Sequence, residues 1–143
     1  MSIKDLQDEI VEEFACYEDW MEKYERIIEI GKEIPVIDTS YKTDDYLIRG
    51  CQSQVWLHAE EKDGKVLFSA DSDAIITRGL IGLMISVLSG QTAKDIAEAD
   101  IYFVDKIGLH SHLSPTRSNG LNAMLKQMKT YAIALRVQQS ANL

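Results

Sequence analysis

Apolar residues recur every three or four positions at the start of the chain: Ile3, Leu6, Ile10, Phe14, Tyr17, Met21, Tyr24 and Ile28. That spacing is a helical stripe. Ser2 with Asp5 resembles a capping box in front of it, and Gly31 is the expected stop. Asp19 is placed to cap a second segment, so the stripe is one helix or two. From Lys32 to Asp45 the pattern is lost around Pro35, which predicts a loop.

The period then shortens. Tyr46–Arg49 and Gln54–Glu60 read as extended, with Val55, Leu57 and Ala59 alternating with Gln54, Trp56 and His58. Asp63-Gly64 before Lys65–Ala70 is a hairpin signal. The sheet is therefore a meander of short antiparallel strands, with Cys51 in the bend between the first two.

Asp71-Ser72-Asp73 offers N-cap chemistry for a helix over Ala74–Leu88, with Gly90 as its stop. This segment is apolar on nearly every side, so it is the helix predicted to be buried. Thr92-Ala93-Lys94-Asp95 is a second capping pattern before a short helix. Ser114 caps a last helix whose first turn takes Pro115; Met124, Leu125, Met128, Tyr131, Ala132 and Leu135 form its buried stripe. Helices, strands, then helices, with no repeat or linker, predict one α+β domain over residues 1–143, a small antiparallel sheet packed against helices.

Charge narrows the partners. The formal net charge of −8 over 143 residues argues against nucleic acid and against an anionic membrane surface, both of which need a basic face. The longest apolar run, Ala74 to Leu88, contains Arg78 and is too short to span a bilayer. The opening MSIKDLQDEIVEEF is charged and amphipathic, unlike a secretory signal. The two cysteines, Cys16 and Cys51, are too few for a disulfide framework and too far apart for a CxxC pair. A reducing cytoplasm is the expected address, with both thiols free.

Chemistry concentrates at residues 49–56, RGCQSQVW. Gly50 frees the backbone to set the angle at which Cys51 leaves the chain. Gln52, Ser53 and Gln54 on one side and Arg49 on the other supply donors that favour a thiolate; a packed, inert thiol is the competing reading. Cys16, between Ala15 and Tyr17, reads as a small buried residue. His110 and His112 are either metal ligands or loop histidines bonded to their neighbours. Arg117 in the first turn after Pro115 makes a helix start that prefers an anion, or is simply solvated. Asp73 is a cap or part of a partner surface. The face carrying Glu12, Glu13, Glu18, Asp19 and Glu22 reads as solvated.

Four readings compete for Cys51. A papain-like hydrolase needs its histidine ~130–150 residues downstream, whereas His110 follows Cys51 by 59. A zinc or iron–sulfur scaffold needs three or four ligands, which Cys51, His110 and His112 supply only if the fold gathers them. An interaction module has no need of a polar-flanked thiol on a glycine bend. A carrier that accepts a group on sulfur and passes it on needs one accessible thiol with donors for its anion, and leads.

GCQSQVW at 50–56, ADSDAIITRGLIGLMISVLSG at 70–90 and GLHSHLSPTRSNGL at 108–121 together resemble the SufE family. The likeness runs from WMEKYERIIEIG at 20–31 to the last helix and is weakest over the first nineteen residues. The resemblance implies a small α/β sandwich, shared with IscU-type cluster scaffolds, whose three-cysteine ligand set this chain lacks. It implies a sulfur acceptor, stimulating a cysteine desulfurase and handing sulfur to the iron–sulfur cluster scaffold complex, with Cys51 as the thiol that becomes a persulfide. Pyridoxal phosphate would belong to the desulfurase, and this chain would bind no cofactor or metal. Arg117, with His112, Gln52 and Gln54, would surround the carried sulfur, while Asp73 and Arg49 would face the desulfurase. A persulfide is readily lost, so the Cys51 loop is expected to change exposure between partners. Oligomeric state is left open, a homodimer included.

Overall fold

The N-terminal stripe is two helices in the computed structural model, which describes residues 1–141: α1 (Ile3–Ala15) and α2 (Trp20–Lys32). Asn142 and Leu143, the end of the expected domain, lie outside the described residues. Ser2 Oγ accepts the Asp5 amide at 3.1 Å while Asp5 Oδ2 accepts the Ser2 amide at 3.4 Å, a reciprocal capping box. The second helix starts where Asp19 Oδ1 accepts the Glu22 amide at 3.0 Å. Gly31 does not stop α2, which runs on to Lys32. A Cβ on Gly31 would lie 2.7 Å from the Gly79 amide nitrogen, and one on Gly79 would run into the Ile27 carbonyl. These glycines let α2 cross α3 (Ile75–Leu88) backbone to backbone.

Two of the three strands among the described residues form the predicted hairpin. β1 (Val55–Lys62) and β2 (Lys65–Ser72) pair antiparallel from Val55 opposite Ser72 to Lys62 opposite Lys65. The turn residues Asp63 and Gly64 both take positive φ, 54° and 80°, as a hairpin turn matched to strand twist requires. β3 (Gln91–Thr92) adds to the far edge of β2. Tyr46–Arg49 is not a strand: a 3₁₀ turn over Asp44–Tyr46 leads into one antiparallel bridge between Leu47 and Trp56.

As the composition predicts, α3 is buried on almost every side. Leu80, Ile81, Leu83, Met84, Val87 and Leu88 are all nearly inaccessible, each such side chain stabilising the fold by about 1.5–3 kcal/mol relative to exposure. Asp71-Ser72-Asp73 does not cap it; the N-cap is Ala74, with no side-chain bond. Ser72 ends β2, and the Ser72 and Asp73 side chains hold the Cys51 loop instead, while Asp71 pairs with Lys42 and Arg78. Beyond Gly90 (φ 85°) come α4 (Ala93–Glu98), capped by Thr92 as expected, and two single-turn helices, α5 (Phe103–Lys106) and α6 (Leu109–His112). His110 and His112 therefore stand on a helical turn, not a loop. The last helix, α7 (Pro115–Ala141), buries Leu121, Met124, Met128 and Ala132. Its Tyr131 hydroxyl donates to the Leu57 carbonyl of β1 at 3.1 Å.

Cys16 is exposed, not buried: it is the C-cap of α1, off the apolar stripe, and its Sγ donates to the Glu12 carbonyl at 3.4 Å. No helix among the described residues is long and apolar enough to cross a membrane.

Candidate functional site

Residues 49–54 form a short loop clamped at both ends. At its start the Ile48 amide donates to the Val55 carbonyl at 2.8 Å. At its end the Gln54 amide donates to Asp73 Oδ1 at 3.0 Å, and the Gln54 carbonyl accepts the Ser72 hydroxyl at 2.8 Å and the Asp73 amide at 3.3 Å. Between the clamps Gly50 has φ 95°, a conformation costly for any residue with a Cβ. A Cβ there would also press on Ala123 of α7 at 3.3 Å. This bend turns Cys51 toward α7.

The Cys51 thiol donates to the Gly120 carbonyl at 3.5 Å. A Cβ on Gly120 would meet the same sulfur at 3.4 Å. Burial pushes the Cys51 thiol above its ordinary pKa, the reverse of the thiolate expected from its flanks. The reason is geometric: Arg49, Gln52 and Gln54 are exposed, so their donors do not offset desolvation of the sulfur.

Beside the sulfur lies a cavity of about 90 Å³, walled by Gln52 from the loop, Thr77 and Leu80 from α3, and Thr116 and Arg117 from α7. Cys51 itself, Ser53, Gly120 and Met124 complete it. That is well above the roughly 10–15 Å³ one water-sized occupant needs. A larger groove of about 340 Å³ between α1, α2 and α3 contains no thiol. In the first turn of α7 the Arg117 amide is taken by Ser114 Oγ at 3.2 Å and the Ser118 amide by the Ser114 carbonyl at 2.9 Å. The Thr116 amide has no acceptor among the described residues.

The structure thus gathers Cys51, Gln52 and Arg117 around one space and leaves other candidates outside it. Gln54 serves through its backbone. Asp73 is exposed beside the loop; Arg49 is exposed too and makes no ion pair among the described residues. His112 is not at the cavity: its ring stacks on Trp20 of α2, centroids 3.8 Å apart, with Nδ1 3.2 Å from the Gly108 carbonyl. His110 sits between Ser118 Oγ at 3.4 Å and Asp105 Oδ1 at 3.5 Å. Cys51, His110 and His112 therefore do not form a ligand set, and no group of three or more His, Cys, Asp or Glu among the described residues is arranged to hold a metal. Sequence reasoning missed Ser72, Thr77 and Gly120. Only Gly120 carried a signal, since a glycine inside a helix marks close approach.

Fold and site define an α+β thiol protein: a small sheet backed by helices, with one cysteine on a clamped loop at the mouth of a cavity. The profile of the SufE family, described as an Fe-S metabolism associated domain, matches residues 8–132. The chain belongs to the SufE family, and so to a family associated with Fe-S metabolism. It is 38% identical over 130 residues to an uncharacterized SufE-like protein of Rhizobium meliloti, covering 87% of this chain and 93% of that one. A second uncharacterized SufE-like protein, from Synechocystis, is 37% identical over 131 residues, 92% and 82% of the two chains. The SufE-like protein 1, chloroplastic/mitochondrial, of Arabidopsis thaliana is 37% identical over 131 residues, 91% of this chain but 35% of its own length. The solution structure of a hypothetical protein from Thermus thermophilus shares the fold, with a TM-score of 0.76 at 20% identity over 90% of this chain and 94% of that one.

Proposed function

We propose that this protein takes sulfur from the persulfide of a cysteine desulfurase onto Cys51, shelters it, and passes it to the iron–sulfur cluster assembly machinery. The observation that carries this reading is the adjoining of thiol and cavity: Cys51 is half-buried at a space of about 90 Å³ that has room for one more sulfur. Family membership supports the destination.

The transfer balances without an external oxidant. Cys51 gives up its proton, and its thiolate attacks the terminal sulfur of the desulfurase persulfide. One S–S bond forms at Cys51 as the desulfurase's S–S bond breaks, and the departing desulfurase thiolate takes up a proton. Freeing that cysteine lets the desulfurase turn over again, which is how an acceptor stimulates it. Pyridoxal phosphate, which supplies the desulfurase chemistry, stays on the partner.

Burial of the resting thiol has a consequence for this scheme. Cys51 ionises readily only when the loop leaves the cavity, so docking activates it; Gly50 is the pivot and Gln54 the fixed end. Asp73 and Arg49, exposed on either side of the loop, face the desulfurase together with Ile75, which is 60% exposed. Arg117 and the Thr116 amide offer positive ends to a sulfur anion on its return. A working free thiol needs a reducing compartment, and the cytoplasm is the proposed one.

Intact-protein mass spectrometry after incubation with a cysteine desulfurase and L-cysteine tests the proposal. Wild type gains one reductant-labile sulfur atom and Cys51→Ser gains none. No gain on wild type, or an equal gain on Cys51→Ser, overturns it.

A further inference from the structure

Among the described residues, three with polar side chains are buried: Gln7, Ser72 and Thr77. Gln7 and Ser72 are occupied. Gln7 binds the backbone of Asp100, Tyr102 and Phe103, and the Ser72 hydroxyl joins the Gln54 carbonyl to the Ala74 amide. Thr77 is different. It is 8% exposed, and among the described residues its hydroxyl has no hydrogen-bond partner. A threonine inside a helix can bond back to a carbonyl one turn earlier, as Thr130 does to Lys126 at 2.8 Å. Thr77, however, is the third residue of α3, and the carbonyl one turn earlier lies outside the helix. Thr77 instead walls the cavity that Cys51 opens onto.

We propose that Thr77 binds the carried sulfur, its hydroxyl donating a hydrogen bond to the terminal sulfur of a Cys51 persulfide drawn into the cavity. The inference rests on the carrier reading given above and adds the residue that holds the cargo. The polarity of the cavity argues for it. Gly120 presents a carbonyl to Sγ, which suits a thiol proton and repels a sulfur anion. Leu80 and Met124 offer no donor. Gln52, Thr116 and Arg117 are exposed and Ser53 is half-buried, so water competes for them. Thr77 is the most buried donor of this lining, where a hydrogen bond to charge is worth most. Being neutral, it stabilises the anion without adding a charge that would itself need desolvation.

The test separates this site from the identity of the sulfur donor. In a Cys16→Ser background, Cys51 is the one thiol, and inorganic polysulfide loads it: the Cys51 thiolate takes a sulfane sulfur, one S–S bond forming as one in the polysulfide breaks. The near-ultraviolet absorbance of the persulfide anion is then followed against pH for Thr77, Thr77→Val and Thr77→Ser, with urea unfolding as the check on folding. Removing the hydroxyl in Thr77→Val raises the ionisation midpoint by about one pH unit, the scale of one hydrogen bond to a charged group. Thr77→Ser, which keeps the hydroxyl, stays at the parent value. Coincident midpoints for all three overturn the proposal. Thr77→Ala replaces Thr77→Val if the valine variant does not fold. A shift in the polysulfide-loaded proteins supports the Thr77 site even where a desulfurase fails to load Cys51, which defeats the carrier reading alone. Desulfurase loading with coincident midpoints defeats Thr77 alone.

Discussion

Gln54 and Asp73 hold each other through two reciprocal hydrogen bonds: the Gln54 amide donates to Asp73 Oδ1 at 3.0 Å, and the Asp73 amide donates back to the Gln54 carbonyl at 3.3 Å. The chain between Gly50 and Gln54 is thereby tied to the start of α3. Asp73→Ala removes the charged acceptor, a loss of about 1 kcal/mol at this exposed position. Alkylation of Cys51 then speeds up by roughly fivefold, if that energy goes into loop opening, whereas Asp73→Asn, which keeps an acceptor oxygen, stays near wild type. Iodoacetamide kinetics followed by mass spectrometry read this directly. Equal rates in Ala and wild type would mean that Ser72 alone secures the loop.

Gly120 offers a way to shrink the space without replacing the thiol. Its added methyl would stand 3.4 Å from Cys51 Sγ, an ordinary contact. Alanine is favoured over glycine inside a helix by about 1 kcal/mol, so Gly120→Ala is expected to unfold at higher urea. The same methyl takes room from the second sulfur. A persulfide on Cys51 of this variant should lose its sulfur to cyanide faster than in wild type. A more stable protein with an unchanged persulfide lifetime would show that the sulfur does not rest in this cavity.

The pH dependence follows from burial. The Cys51 thiol is raised above its ordinary pKa by desolvation, so the native state holds its proton after the unfolded chain has lost it. Stability from this group is intact below the unfolded pKa and falls as pH rises from there through the higher native value. Wild type should lose stability relative to Cys51→Ser across that alkaline window. Alkylation of Cys51 in a Cys16→Ser background should likewise have its midpoint above that of a free cysteine. Binding a desulfurase, by drawing the loop out, should bring that midpoint down. An unchanged profile in the complex would contradict activation by docking.

How far the chain could be read in advance depends on whether a feature is local. The Asp63-Gly64 hairpin, the buried α3 and the Ser114–Pro115 start of α7 all follow from spacing and caps within a few residues, while spacing left open whether the chain breaks at Asp19. Gly31 failed because its partner, Gly79, is a distant backbone, and a helix-crossing glycine looks in sequence like a stop. Asp71-Ser72-Asp73 failed as a cap for a related reason: Ser72 and Asp73 answer to the distant Gln54, and Asp71 pairs with Lys42 and Arg78. At the site, Cys51 stood out by its glycine and polar flanks, but the sign of its pKa shift depends on walls contributed by α3 and α7. Thr77 left no trace, since a threonine in an apolar helix reads as core until its hydroxyl is found unpaired.

His112 supplies the contrast that tests the placement of the cavity. Its imidazole lies against Trp20 at 3.8 Å between centroids and 22° between planes, and the Tyr24 hydroxyl donates to its carbonyl at 3.0 Å. These contacts fasten α6 to α2, on ground separate from the residues that wall the Cys51 cavity. An aromatic pair of this kind contributes about 0.5–1.5 kcal/mol beyond burial. His112→Ala is therefore expected to lower stability to urea by about 1 kcal/mol, counting the lost bond to the Gly108 carbonyl, while sulfur loading per folded molecule holds at the wild-type level. The opposite pattern, normal stability with impaired loading, would return His112 to the sulfur site and require the α6–α7 corner to rearrange when Cys51 is charged.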